Sequence, residues 1–434
     1  MAPPMPPVPS LDGGPPISAP LRFFVSAALF GVGAGVLLAW AGPGLFQSRW
    51  TASALAFTHF VTVGFMMQVI LGALQQLLPV LAGAPLPRPL RVATVVHTGI
   101  TLGGLCLIGA FLSGYAPLFG IATVCMATGI LYFVATAVAA LLRVDPPNLV
   151  ARGLRFGLLG LTVTVSIGLA NALTLGWPNG LPLEQLANVH LGWGFVAWGC
   201  AVLAAVNAVA MPMFQHDPVL PGWFVRSFGA VAVTVVASWT LCELLDFEPL
   251  ASALSIGVVL VGASFATLTL YLQMRPRRTT LDAVQRLWRL GMACALTACA
   301  LWVASRWVPA IASWSPWPLL FGALLLVGGL MSVVLGMVYK IVPFLVWMHL
   351  QSLGRGRLPA PALKSVVPEF HLNGQARLHY ASVALVLGAV VWPDVFARLA
   401  GIVLAVSCAW LLRNLLAAVA LYRAHTARLA ALAP

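Results

Sequence analysis

Twelve apolar runs, each about as long as a bilayer is thick, limit what this chain can fold into. They fall at about 22–42, 53–82, 92–113, 116–142, 154–176, 185–212, 222–245, 251–274, 285–308, 317–348, 377–393 and 396–423. An α-helix needs about 20 apolar residues to cross the hydrocarbon. In lipid, only helices and closed barrels satisfy every backbone amide, and these runs are far too long for barrel strands. The expected fold is an all-α integral membrane protein with twelve transmembrane helices. Composition agrees, at 8% charged residues and a mean hydropathy of +0.98, against about 25% charged in a soluble domain. The joint at "SGYAP" and the short eleventh run are the weakest elements of this pattern.

Residues 1–20, "MAPPMPPVPSLDGGPPISAP", are rich in Pro, Gly and Ser and lack a basic leader. They read as a disordered tail before a single membrane domain over 21–434. The net charge of +13 would suggest a nucleic-acid partner in a soluble protein. Here the basic residues lie between apolar runs, so they set orientation instead, and the expected partner is the lipid bilayer. With the N-terminus inside, the inner loops hold Arg88, Arg91, Arg143, Arg152, Arg277, Arg278, Arg355, Arg357 and Lys364, among others. The outer loops hold only Arg49, Arg306 and Arg398, with the acids Glu184, Asp246, Glu248 and Asp394. Both termini are therefore expected in the cytoplasm. The seven cysteines all fall in apolar runs and form no C-x-x-C pair, so they read as small core residues.

One run recurs. "HFVTVGFMMQVILGALQQLLP" (59–79) aligns without gaps on "ALLLVGGLMSVVLGMVYKIVP" (323–343), matching Gly64 to Gly328, Met67 to Met331, Gly72 to Gly336 and Pro79 to Pro343. Midway lies "HLGWGFVAWGCAVLAAVNAVAMP" (190–212), two residues longer. The three belong to the second, sixth and tenth helices. The prolines are spaced by 133 and 131 residues. Four helices per unit and three units (about 21–145, 150–275 and 283–425) make a triplicated bundle, with helices two, six and ten innermost. Each proline is expected to end or kink its helix, and the glycines to admit close neighbours.

Such a bundle, in three pseudo-symmetric four-helix arcs with histidines near the outer ends of helices two and six, resembles the haem-copper oxidase subunit I superfamily. The resemblance covers almost the whole chain in architecture and few of the family's motifs. It implies a bacterial-type inner membrane. In that family the second-helix histidine binds a low-spin haem, and His59 matches it. The sixth-helix histidine binds copper, and His190 matches it. The seventh helix should carry a histidine pair, and "GAVAVTVVASWTLCELL" has none. The tenth should carry two histidines, yet Ala323 stands in the repeat position and no histidine occurs between His216 and His349. The chain is thus similar to divergent relatives with a reduced ligand set, of the kind associated with the bacterial nitric oxide response.

The resemblance implies that His59 and His190 are the cofactor and metal ligands. The expected cofactor is haem b, with copper not expected. Gly64 would leave room for the macrocycle. Without the partner histidine, the haem iron would keep an open axial position for a diatomic ligand. A small electron donor or a partner membrane subunit would serve such a site. Against this stands a cofactor-free protein of the same fold, acting as an assembly partner or a transporter, in which each histidine is merely hydrogen-bonded to a neighbouring helix. A 6+6 transporter would repeat helix two in helix eight, and "SALSIGVVLVGASFATLTLYLQM" has neither the histidine nor the proline.

His97, His349 and His379 lie near cytoplasmic helix ends, where they read as interfacial residues or as a second metal site. His216, His371 and His425 read as solvated. Lys340 reads as a snorkelling residue. Glu243 and Asp246 close the seventh helix as a conceivable lid. Gln68, Gln75, Gln76 and Asn207 are expected in interhelical hydrogen bonds of roughly 0.6–2 kcal/mol each. With the copper ligands missing, the isolated chain is expected to show no cyanide-sensitive oxygen uptake. Uptake accompanied by one equivalent of bound copper would contradict this.

Overall fold

The computed structural model describes residues 15–215, 218–275, 281–354 and 358–432. His216, Arg277, Arg278, Arg355, Arg357 and the first fourteen residues of the Pro-rich tail lie outside the described residues. Twelve long helices account for nearly all of the described chain. They are α1 (Ser18–Ala41), α2 (Ala52–Ala82), α3 (Pro89–Ser113), α4 (Ala116–Leu142), α5 (Leu149–Gly176), α6 (Leu183–Gln215), α7 (Gly222–Leu244), α8 (Glu248–Gln273), α9 (Ala283–Ser305), α10 (Trp317–Gly354), α11 (Glu369–Val391) and α12 (Pro393–Ala431). No strand occurs among the described residues. Eleven of the helices are long and apolar enough to cross a membrane. The exception is α11, whose first turns carry Glu369, His371, Asn373, Gln375, Arg377 and His379. The chain is therefore a multi-pass, all-α membrane protein.

Helix ends follow local chemistry. Thr51 and Asn148 cap α2 and α5 by accepting from Ala54 and Ala151 N–H, and Asp282 with Gln285 forms a capping box on α9. α1 begins at Ser18 rather than Arg22, and Ile17 and Ala19 are already buried. Apolar and small residues let the bundle draw in these last residues of the expected tail.

Successive helices pack side by side, and α12 returns to lie along α1. Gly35 of α1 and Gly401 of α12 cross so closely that a Cβ on either would strike the other helix's backbone, at Ala405 and Ala39 respectively. α2, α6 and α10 are the most enclosed. Of their most apolar windows, 67%, 72% and 61% are buried, against 56% or less for every other span. α2 touches α10 and α6, and the Phe214 and Phe344 rings join α6 to α10 at 5.4 Å.

Each of these three helices widens into a π-helical stretch, at Phe60–Met67, Trp193–Cys200 and Leu324–Met331. The stretches begin 133 and 131 residues apart, as the prolines do. Equivalent positions also meet equivalent neighbours. Gly72 faces Phe23 of α1, Ala205 faces Gly153 of α5, and Gly336 faces Trp288 of α9. Pro79, Pro212 and Pro343 lie inside their helices, which continue past them. They remove one backbone bond each rather than ending the helix.

This register separates the two histidines. His59 directly precedes its π stretch, and Gly192 and Ala323 stand in its place. His190 comes two residues earlier, about 200° around the helix.

Gly401→Leu is expected to force α12 off α1, lowering stability by about 1–3 kcal/mol or more. Gly322→Ala, which meets nothing within 4 Å, should leave it unchanged. Thermal unfolding in detergent measures both, and equal midpoints would contradict the packing.

Candidate functional site

His59 ends the first α-helical segment of α2 and is half-buried. Its Nδ1 lies 2.8 Å from the Leu55 carbonyl oxygen one turn back. A carbonyl only accepts, so Nδ1 carries the proton and Nε2 is left with its lone pair. His190 repeats this arrangement across helices, with Nδ1 2.9 Å from the Thr164 carbonyl of α5. Gly168, one turn along α5, makes room for the ring, since a Cβ there would sit 2.9 Å from His190 Cε1. Neither Nε2 has a hydrogen-bond partner among the described residues. An Nδ1–H bound to a carbonyl, with Nε2 free, is how metal-ligating imidazoles are held.

The surroundings are aromatic. Phe111 of α3 lies tilted on the His59 ring at 5.0 Å, and Phe119 of α4 meets Phe111 edge-on. α7 presents no histidine to α6. Trp239 fills the space over Gly192, and Thr240 accepts from Trp193 Nε1 at 2.9 Å. At the rim above His190, Arg49 bridges Glu184 at 2.9 Å and Asn188 at 3.1 Å. Gln185 reaches Asp246 at 3.0 Å, so Asp246 takes part in closing this end. Glu243 contributes only its backbone carbonyl.

The donor atoms fit an axial ligand to haem iron. The seat expected beside Gly64 does not exist, because the Phe30 ring of α1 lies against that glycine. Any macrocycle held by His59 needs another face of α2. Between α2 and α10 there is a cavity of about 90 Å³, lined by Thr58, Ala323, Leu326 and the Arg49 rim among others. That is well under the ~300–1,000 Å³ of pockets for drug-sized ligands. Among the described residues, no three His, Cys, Asp or Glu side chains are grouped to hold a metal ion.

The other histidines differ from their sequence reading. His97, His349 and His379 are not brought together. His97 bonds Ser26 of α1 at 2.7 Å, and Phe23 stands edge-on to its ring. His379 is fully buried and 2.8 Å from Ser332 of α10, so it is not interfacial. Gly328 and Ser332, on the facing turn of α10, are small enough to let it close over the ring. His371 and His425 lie on helices, and His425 is buried. Lys340 does not snorkel alone but pairs with Asp282, the cap of α9, at 2.5 Å. Gln68 bonds Thr101 of α3 at 2.9 Å, as an interhelical residue should. Gln75, Gln76 and Asn207 are buried with neither amide atom bonded. The signals that sequence reading missed were the partners of the imidazoles. Backbone carbonyls and Gly168 carry no mark in a residue string.

Fold and site together define a multi-pass helical membrane protein with two carbonyl-bound imidazoles on its inner helices. No protein-family model matches the chain, and no curated protein matches it.

Gly168→Leu is expected to push the His190 ring from the Thr164 carbonyl. In ¹⁵N spectra of the histidines, His190 should lose its Nδ1-protonated signature while His59 keeps its own. An unchanged His190 spectrum would contradict the hydrogen-bond assignment.

Proposed function

We propose that this chain is a haem-binding inner-membrane protein of the haem-copper oxidase subunit I type. In this reading all twelve helices span the membrane, in three pseudo-symmetric four-helix arcs around α2, α6 and α10, with both termini cytoplasmic. The shared register of the π stretches and prolines supports the arcs, and the Arg asymmetry supports the orientation. His59 is the axial ligand to a b-type haem, and His190 lines the same or the adjoining cavity. The role is to bind or handle a small diatomic ligand such as nitric oxide, or to pass electrons.

One observation carries this reading. Both imidazoles are fixed in one tautomer by a carbonyl, and both leave Nε2 bare in the two most enclosed helices. A histidine kept only for packing gains nothing from a bare, oriented Nε2. When bound, the haem iron supplies a coordination position for the diatomic ligand. The chain's own residues hold the ligand geometry and keep water out. Leu55 and Thr164 fix the rings, Phe111, Trp193 and Trp239 wall the space, and the Arg49–Glu184 pair covers the rim.

A cofactor-free protein of this fold is the second reading. Phe111 lies on the His59 ring and Phe30 fills the space beside Gly64, leaving no gap for a macrocycle on those faces, and this favours it.

Purified wild type, His59→Ala and His190→Ala decide between them, through haem content, total metal and the carbon monoxide difference spectrum. Haem in wild type, lost with His59→Ala and spectrally altered by His190→Ala, is the expected result. A colourless wild type holding one transition metal ion would replace haem by a mononuclear site. No haem and no metal, or full haem in His59→Ala, would overturn the ligand assignment.

A further inference from the structure

α11 is too polar to stand among the apolar spans, yet two of its polar side chains are turned inward. Gln375 and His379 are both buried, and they lie four residues apart. That spacing puts them on one face, about 6 Å apart along the axis. His379 is the only fully buried imidazole among the described residues.

The hydrogen bonds fix which atoms are donors. The Ser332 hydroxyl donates to the Gly328 carbonyl at 2.7 Å. It therefore accepts from His379, at 2.8 Å, and Nε2 carries the ring proton. Nδ1 is left as a bare acceptor. Gln375 Nε2 donates to the Ser407 hydroxyl of α12 at 3.0 Å, and its Oε1 is likewise buried and bare. Two unpaired acceptors thus stand one helical turn apart on α11. Buried acceptors are almost always satisfied. The species that matches this pair is a small molecule with two hydrogens to give.

The geometry points to a water-binding site on α11, in which one water donates a hydrogen to Gln375 Oε1 and the other to His379 Nδ1. The water links the Gln375–Ser407 pair to the His379–Ser332 pair. Two turns lower, Asn414 of α12 donates to the Tyr339 hydroxyl of α10 at 3.0 Å. Tyr339 and Asn414 are buried too. These pairs form a buried polar line along α10 from Tyr339 to Ser332, which directly follows the π stretch. Along it the buried imidazole is in contact with water. None of these residues belongs to the His59–His190 pair, so the water site stands whether or not haem binds there.

The test uses the full chain in lipid bilayers with ¹⁵N-labelled histidine, following magnetisation transfer from water to the His379 ring nitrogens. The expected result is direct transfer to an unprotonated, hydrogen-bonded Nδ1, with Nε2 protonated. Gln375→Leu should cut that transfer at least threefold and leave the His59 and His190 signals unchanged. Where the leucine variant does not fold, Gln375→Met, matched in length, takes its place with the same expectation. No transfer from water to His379 in wild type, or transfer undiminished in the Gln375 variant, would overturn the assignment.

Discussion

A peptide group in hydrocarbon has only other peptide groups to bond, and the rest of this structure depends on that restriction. It makes the lipid-facing helices regular and confines every departure from regularity to the interior. The departures sit in α2, α6 and α10. Their π stretches misalign backbone bonds, and Pro79, Pro212 and Pro343 free the carbonyls of Gln75, Ala208 and Tyr339. Such losses are tolerable where neighbouring helices crowd in, and these are the three most enclosed spans. The outer helices need no such latitude. They serve as the wall, drawn tight where Gly35 and Gly401 let α1 and α12 touch backbone to backbone.

The same restriction governs the polar side chains. An imidazole inside the bundle has two nitrogens to account for, and for His59, His190 and His379 the bundle accounts for one. His59 and His190 commit Nδ1 to carbonyls, whereas His379 commits Nε2 to a serine. The remaining nitrogen is therefore a lone pair in all three. Charges are treated differently. Arg49 with Glu184 and Lys340 with Asp282 stand partly exposed at the ends, where a surface pair contributes little to stability, typically 0–1 kcal/mol. Their value is positional. One closes the rim above His190, and the other ties α10 to the cap of α9.

Much of the fold was legible because hydropathy reports what lipid demands. Most expected helix ends fall within a few residues of the observed ones. Even α11 stood out as the weak span, since Gln375 and His379 dilute its apolar character. The even spacing of prolines marked the three inner helices. What hydropathy does not report is rotation about a helix axis. Gly64 looked like open space beside His59, but its face is turned to α1 and filled by Phe30. His59 and His190 looked equivalent, and the π register shows them two residues out of step. The bonding of His379 was illegible for the same reason. Its place in the run put it at a cytoplasmic helix end, and neither its burial nor the serine that meets it from another helix could be read there.

The π stretches and prolines also have a mechanical consequence. In each inner helix, twelve residues separate the end of the wide turn from the proline, a stiff rod of about 18 Å between two compliant joints. Because the spacing is the same in all three, each inner helix carries the same rod between the same two joints. Bending in the core is concentrated there, where backbone bonds are misaligned or missing. His59 and Ala323 lie right at the first joint of their helices and His190 just beyond it, so a bend at these joints swings the two imidazoles relative to each other.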